Sequence, residues 1–104
     1  MQREVLKGHA DLLVLAAVSA GPAHGYAIVA TVRERSEGAF DLAEGTVYPA
    51  LYRLERQGLL ESTWSETAPR RRRVYRLTRR GRAELARQRQ EGGSYVRAMQ
   101  AAIA

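Results

Sequence analysis

The chain has 104 residues and no cysteine, and its 17 Lys+Arg against 11 Asp+Glu give a formal net charge of +6. This length suits one domain, and the lack of thiols excludes a disulfide framework, a thiolate nucleophile and a cysteine-based zinc site. The longest apolar run, Leu12 to Val18, is too short to span a membrane, and the N-terminus carries no secretory signal pattern. We therefore expect a cytoplasmic protein that does not enter a membrane.

The positive charge is concentrated in the C-terminal part of the chain. Residues 1–37 hold four basic and four acidic side chains, so the whole excess lies in residues 38–104. Residues 70–89 contain ten arginines against Glu84 alone. A solvated helix face usually mixes both signs, whereas a run of one sign favours a polyanionic partner. We expect a nucleic acid in preference to a membrane surface or an acidic protein.

The spacing of apolar residues predicts two helices in the first third of the chain. The first covers residues 5–19 and stops at Gly21-Pro22, because proline lacks a backbone donor and disfavours helical geometry in the preceding residue. The second runs from residue 24 or 25 to residue 37 and has a solvent-exposed face rich in charged residues. Gly38 is expected to end it.

A third helix with one buried stripe is predicted from Gly45 to Gln57. Thr46 is the expected N-cap, since its hydroxyl can accept a hydrogen bond from a free backbone amide. Pro49 is expected in the first turn, where its missing N–H costs nothing. Gly58 is expected just beyond the end of the helix. The stripe consists of Val47, Ala50, Leu51 and Leu54.

The period of the pattern then changes to two, which predicts a β-hairpin. Residues 60–66 form the outgoing strand, and residues 73–77 return with Tyr75 and Leu77 facing inward. Trp64, the one tryptophan of the chain, is expected to anchor the packing of the hairpin.

A last helix is predicted to follow Thr78, which is a second N-cap candidate. Gly92-Gly93 weakens this helix by about 1 kcal/mol per glycine, so the sequence leaves its continuity open. Helical spacing resumes afterwards with Tyr95, Val96, Met99, Ala102 and Ile103.

Three helices, a β-hairpin and a final helix are the order of a winged helix-turn-helix, which is mainly α with a small β-hairpin. The third helix can lie in the major groove of DNA, where base edges present a distinct pattern of donors and acceptors. A hairpin tip rich in arginine can reach flanking phosphates or the adjacent minor groove. We expect residues 1–81 to form the DNA-binding domain and residues 82–104 a dimerisation helix of the same compact unit.

Several segments resemble the PadR family of bacterial transcriptional regulators, over roughly residues 5–86. The most specific is GTVYPALYRLERQGLL at residues 45–60, and the resemblance is to short members without a large C-terminal domain. It implies a homodimeric winged-helix repressor whose third helix reads a palindromic operator. The other segments are LKGHADLL at residues 6–13, HGYAI at residues 24–28 and VYRLTRRG at residues 74–81, with Glu84-Leu85 behind it.

The resemblance carries over DNA-binding roles by position. It implies that Tyr48 touches a phosphate or a base and that Arg53 pairs with the DNA backbone. The alternatives are that Tyr48 and Tyr52 cover the edge of the core and that Arg53 pairs with surface acids. The recognition-helix residues matched in this way are Thr46, Tyr48, Pro49 and Arg53, to which we add Tyr52.

The wing maps to residues 68–73, where Pro69 and four arginines stand in place of the glycine usual at the tip. Four consecutive like charges repel each other without a counter-charge, which favours phosphate contact over an ordinary solvated loop. The residues predicted to make it are Arg70, Arg71, Arg72 and Arg73.

The resemblance also implies that the final helix crosses to a second subunit. Folding back of this helix onto its own subunit is the alternative, although 104 residues offer little surface to receive it. A slot for aromatic drugs, as in some short members, is not supported because Gly92-Gly93 falls in that helix; whether another small-molecule effector exists stays open. The residues implied at the dimer interface are Leu85, Val96, Met99 and Ile103.

The pattern argues against an enzyme, since it shows no paired carboxylates, no Ser–His–Asp spacing and no phosphate-cradling glycine loop. His9 and His24 lie fifteen residues apart without a third ligand, so we expect structural roles for them, and no metal or cofactor. The main alternative function is a winged-helix module that binds protein and presents an apolar patch instead of arginines. RNA binding is a weaker alternative. Proteins that read single-stranded RNA stack its bases on exposed aromatic side chains of a sheet, and this chain has only one Phe.

Overall fold

The computed structural model describes residues 3–66 and 71–104, with side chains from residue 9 onward. It has the mainly helical winged-helix order that the sequence predicts. Residues 67–70, which include Arg70 of the predicted wing, lie outside the described residues. The elements are α1 (Arg3–Ser19), α2 (Gly25–Arg35), α3 (Glu44–Arg56), β1 (Leu60–Ser65), β2 (Arg72–Leu77) and α4 (Arg79–Ile103).

One apolar core joins the three N-terminal helices, the hairpin and the first turns of α4. Full burial of a side chain as large as leucine or isoleucine contributes about 1.5–3 kcal/mol. Within the described residues no polar or charged side chain is buried, so packing holds the fold and the charges stay on the surface. The largest fully buried side chains are Val14, Leu15, Ile28, Val47, Leu51, Leu54, Leu60, Tyr75 and Leu85.

The helix α2 ends two residues earlier than predicted. The hydroxyl of Ser36 donates to the Val32 carbonyl at 2.8 Å and accepts from the Phe40 amide at 2.9 Å, which turns the chain out of the helix. Gly38 then has φ +85°, in the left-handed region that glycine adopts without strain. The chain thus reverses toward α3 over a few residues.

The start of α3 differs from the prediction. The N-cap is Ala43 and the helix begins at Glu44, because the Ala43 carbonyl already accepts from the amides of Thr46 and Val47 at 2.9 and 3.0 Å. The prediction of Thr46 as N-cap was therefore wrong. Pro49 lies in the second turn instead of the first, and the carbonyl of Gly45, which loses its usual helical partner, is exposed to water that can satisfy it.

The buried stripe and the end of α3 are as predicted. Val47, Ala50, Leu51 and Leu54 are buried. Gly58 has φ +79° and follows the C-cap residue, which leaves the next residues free to enter β1.

The two strands pair antiparallel, from Leu60 opposite Leu77 to Ser65 opposite Arg72. Side chains on one face of this pair are buried where they meet the helices, and Tyr75 and Leu77 face inward as predicted. The other edge of β2 is held by Ala23, whose amide and carbonyl exchange hydrogen bonds of 3.0 and 2.9 Å with Tyr75. The wing strand is thus fixed on both sides.

Thr78 caps α4, as predicted. Its hydroxyl accepts from the Gly81 amide at 3.0 Å and donates to the Gly58 carbonyl at 2.7 Å. The Thr78 amide donates to the Leu59 carbonyl at 3.2 Å. These bonds bring Gly81 so close to the turn after α3 that a Cβ on Gly81 would overlap the Leu59 carbonyl oxygen.

The helix α4 runs unbroken through Gly92-Gly93, which answers the question that the sequence left open. Beyond those glycines its apolar side chains are exposed: Tyr95, Val96, Met99 and Ile103. Leu85, which we placed at a dimer interface, is 2% exposed and packs into the core of its own chain, so it offers no surface to a partner. The boundary that we predicted between the DNA-binding domain and the dimerisation helix, at residue 81, lies inside the first turn of α4.

We expect Gly81→Ala to lower the free energy of unfolding by about 2–3 kcal/mol, because the added methyl group meets a backbone oxygen that cannot move without distorting the cap. Urea denaturation measures this change. Gly45→Ala is the matched control: this exposed helical glycine has open space around its Cα, and alanine should stabilise the fold by about 0.5 kcal/mol. Equal stability of the two variants would contradict the close packing at Gly81.

Candidate nucleic-acid interface

The starts of α2 and α3 and the strand β2 enclose a cleft of about 390 Å³. It brings Tyr48 of the predicted recognition helix next to three predicted wing arginines. Among the described lining residues Glu44 is the one acidic side chain, so the cleft is positively charged. The lining residues are His24, Gly25, Tyr26, Glu44, Tyr48, Arg71, Arg72 and Arg73.

Tyr48 is half-buried, and its ring lies against Gly25. A Cβ on Gly25 would stand 2.7 Å from Cζ and 2.8 Å from the hydroxyl oxygen of Tyr48. The ring can therefore lie here only because Gly25 has no side chain. The ring packs on the edge of the core while it also lines the cleft. Sequence reasoning missed the role of Gly25, because the close approach is to a side chain of a separate helix and leaves no local signal.

His24 caps α2 and also contacts the wing. Its Nδ1 accepts from the Ala27 amide at 3.2 Å, which confirms a structural role. Its Nε2 lies 2.9 Å from a guanidinium nitrogen of Arg72, a contact that the sequence did not predict. Partial burial, and in second place the charge of Arg72, hold the pKa of His24 below its usual 6.5, so the imidazole is neutral at pH 7.

Trp64, which we expected to anchor the packing of the hairpin, packs against arginines of the wing and not against the core. The ring is 50% exposed. The guanidinium carbons of Arg71 and Arg73 lie 4.7 and 5.1 Å from the ring centroid. Cation–π contacts at exposed sites contribute about 0.5–1 kcal/mol each, and here they hold two like charges side by side.

Polar contacts tie the wing arginines to the rest of the domain. The Nε of Arg73 donates to the Ser62 hydroxyl at 2.8 Å, which in turn donates to the Glu55 carboxylate of α3 at 2.7 Å. Arg71 lies 3.6 Å from the carboxylate of Glu66. The positions of these guanidinium groups are therefore linked to β1 and to the helix α3.

Arg53 is held by an acid of α1. Its Nε donates to Asp11 Oδ2 at 3.3 Å and its Nη2 contacts Oδ1, and these hydrogen bonds raise the pKa of Arg53. The Arg53 side chain is half exposed. An exposed ion pair contributes about 0–1 kcal/mol, so the pair orients Arg53 without removing it from the surface.

The exposed face of α3 carries the other predicted contact residues. Pro49, Tyr52 and Arg53 are exposed, at the three- and four-residue spacing that places them on one side of a helix. Thr46 is half-buried near the start of α3. Tyr52 is 54% exposed, which favours the surface alternative for this residue over the core alternative.

Two other kinds of site are absent from residues 3–66 and 71–104. No helix in this part of the chain is long and apolar enough to cross a membrane. Nor do three or more histidine or acidic side chains gather there in a group that could hold a metal ion.

Residues 14–87 match a family model described as the transcriptional regulator PadR-like family, which is well over half of the chain. The chain belongs to this family. The resemblance of the sequence segments to PadR regulators is therefore confirmed, and the chain is a DNA-binding transcriptional regulator.

Solved structures agree with the PadR assignment. A PadR family transcription regulator from Clostridium difficile is 34% identical, with a TM-score of 0.82 over 93% of this chain and 100% of that one. A transcriptional regulator from Clostridium thermocellum is 26% identical, with a TM-score of 0.85 over 96% of this chain and 95% of that one.

A relative found by sequence is also a regulator. The transcriptional regulator Rv3488 of Mycobacterium tuberculosis is 47% identical over 53 residues, which is 51% of this chain and 50% of that protein.

We expect the stability of this PadR-like protein to fall as the pH drops below about 6.5. Because the folded state lowers the pKa of His24, the unfolded chain binds more protons in this range, and stability is complete only above the unfolded value. Thermal unfolding of the wild type and of His24→Asn from about pH 7.5 to about pH 5.5 measures the effect. The variant keeps a capping oxygen and should lose part of the pH dependence. An NMR titration that gives His24 a pKa of 6.5 or higher would contradict this.

Proposed function

We propose that the protein is a cytoplasmic, homodimeric repressor that binds a palindromic operator. The observation that carries this proposal is the cleft in which Tyr48 of α3 lies beside Arg71, Arg72 and Arg73 of the wing. Major-groove and backbone contacts therefore lie on one continuous surface of the domain. Proteins of this kind read base edges with a helix and fix their register through phosphates.

The exposed face of α3 is the part that enters the major groove in this proposal. Pro49, Tyr52 and Arg53 present apolar, aromatic and guanidinium groups, which together can contact a thymine methyl, a sugar and a phosphate or guanine edge. Tyr48 sits between this face and the wing, where a hydroxyl can meet the phosphate at the groove edge. Arg53 reaches the DNA from a fixed position because Asp11 orients it.

The wing supplies charge for the DNA backbone. Arg71 and Arg73 lie over the Trp64 ring, and both side chains are exposed, so they are open to a phosphate. Each guanidinium that meets a phosphate releases a condensed counterion, and this gain in counterion entropy falls with rising salt. A strong salt dependence of the affinity is the expected signature.

The distal half of α4 supports a homodimer. Leu85 is buried in its own chain, and Val96, Met99 and Ile103 continue the same helix face, because they follow Leu85 by 11, 14 and 18 residues. Beyond Gly92 nothing in the described part of the same chain covers this face. A second copy that covers it through a two-fold axis would set two α3 helices in major grooves about 10 base pairs apart.

We expect specific binding to the DNA upstream of the protein's own gene, tested by titration at several salt concentrations against a scrambled duplex of equal length. Trp64, the one tryptophan, reports on the wing through its fluorescence. A preference of roughly a thousandfold with a steep salt slope supports a sequence-specific regulator. Equal binding to both duplexes would place the operator elsewhere. No binding to either at low salt would favour the protein-binding alternative.

We expect glutamine in place of Arg71, Arg72 and Arg73 to weaken the binding of specific and of random DNA alike. The slope of log affinity against log salt concentration should become flatter by about 0.9 for each phosphate that the variant no longer neutralises. The control replaces Arg35, Arg89 and Arg97, which lie at the end of α2 and on α4, so its change in net charge is the same. An equal loss of affinity in both variants would show that net charge alone governs binding.

We expect Met99→Glu to convert a dimer into a monomer, because a carboxylate cannot be buried in an apolar interface without a partner. Sedimentation velocity of the wild type and of the variant measures the oligomeric state. Ala101→Glu is the matched control, since residue 101 lies about 200° around the helix from Met99. A wild type that sediments as a monomer at micromolar concentration would overturn the proposed homodimer.

A further inference from the structure

The imidazole of His24 lies between two hydrogen-bond donors. The Ala27 amide is 3.2 Å from Nδ1, and a guanidinium nitrogen of Arg72 is 2.9 Å from Nε2. A neutral imidazole has one N–H and one acceptor nitrogen, whereas an arginine can only donate. One of the two contacts therefore cannot be a hydrogen bond.

The backbone decides which nitrogen accepts. Ala27 is the third residue of α2, where a backbone amide has no carbonyl partner within the helix, and the acceptor that the structure gives it is Nδ1 of His24. The Ala27 amide therefore depends on Nδ1 of His24, and the proton of the imidazole lies on Nε2. An N–H of His24 and an N–H of Arg72 then face each other with no acceptor between them.

The surroundings of this pair fit an anion. Arg72 makes no ion pair within the described residues, while Arg71 has Glu66 and Arg73 has the hydroxyl of Ser62. The cleft also holds the hydroxyl of Tyr48, and its volume of about 390 Å³ admits a phosphate group. Glu44, the acidic side chain in the lining, belongs to the first turn of α3.

The geometry points to a phosphate site: one oxygen of a DNA backbone phosphate lies beside this pair and accepts from both Nε2–H of His24 and an N–H of the Arg72 guanidinium. This inference rests on the proposed DNA binding and adds His24 to the residues that touch the ligand. One oxygen that accepts from both groups removes the clash of two donors, and charge-assisted bonds to it are stronger than those between neutral groups. His24 thus joins the start of α2 to the wing through the ligand.

The test measures affinity for a random-sequence duplex of 20 base pairs, because a phosphate contact does not depend on sequence. The four proteins are the wild type, His24→Asn, Arg72→Gln and the double variant, each as the full chain. Asparagine keeps the helix cap but its side chain is too short to reach the phosphate. We expect each single variant to bind about tenfold more weakly and the double variant little more weakly than either single one.

Three readouts keep the outcomes apart. His9→Asn, a change in the other histidine of the chain, is the matched control and should bind as the wild type does. Thermal unfolding should show that His24→Asn folds normally. The ¹⁵N shifts of the imidazole in the free protein should show the proton of His24 on Nε2; a proton on Nδ1 would overturn the argument, because Arg72 could then donate to Nε2.

The contrary results have distinct meanings. Wild-type affinity of His24→Asn, or fully additive losses in the double variant, would overturn the shared phosphate while DNA binding by the wild type stands. Failure of the wild type to bind any duplex would overturn the proposed function itself. A third result is that millimolar inorganic phosphate shifts the NMR signals of His24 while His24→Asn binds DNA as tightly as the wild type does. That result would assign the site to a free anion and overturn a DNA phosphate as its ligand.

Discussion

The geometry of the candidate interface depends on one pair of backbone hydrogen bonds, between Ala23 and Tyr75. These bonds attach β2 to the segment just before α2, while β1 holds the opposite edge of the strand. His24 follows Ala23 directly and Arg72 precedes Tyr75 by three residues, so the two side chains are brought together as a consequence. The start of α2 and the wing therefore form one continuous surface on which α3 also lies.

The interior and the surface of this protein have separate tasks. The described core contains only apolar side chains and the largely apolar ring of Tyr75, so it stabilises the domain without discriminating among ligands. The arginines of the wing remain outside and are arranged by aromatic stacking, a serine hydroxyl and the carboxylate of Glu66. These contacts are individually weak, and so the guanidinium groups can exchange them for phosphates at little cost.

Local patterns were reliable where one interaction dominated and failed where two competed. The stripe of α3 and the cap at Thr78 follow from periodicity and from a single hydroxyl–amide bond, and both were predicted. The N-cap of α3 was predicted three residues late, because the carbonyl of Ala43 begins the helix without help from a side chain. Trp64 was expected to anchor the packing of the hairpin, but no local pattern showed that its partners would be Arg71 and Arg73 and that half of the ring would stay exposed.

The sequence by itself determined the order of elements of the winged-helix fold and the segments that carry charge, because periodicity, caps and composition are local properties. The family followed from the resemblance of whole segments, such as residues 45–60, to PadR regulators. Tertiary structure alone decided that Leu85 is internal, that Asp11 orients Arg53 and that Gly25 makes room for Tyr48. It also placed His24 against Arg72, which lie 48 residues apart. Such pairings depend on how elements pack, and no spacing along one chain encodes the distance between side chains on separate elements.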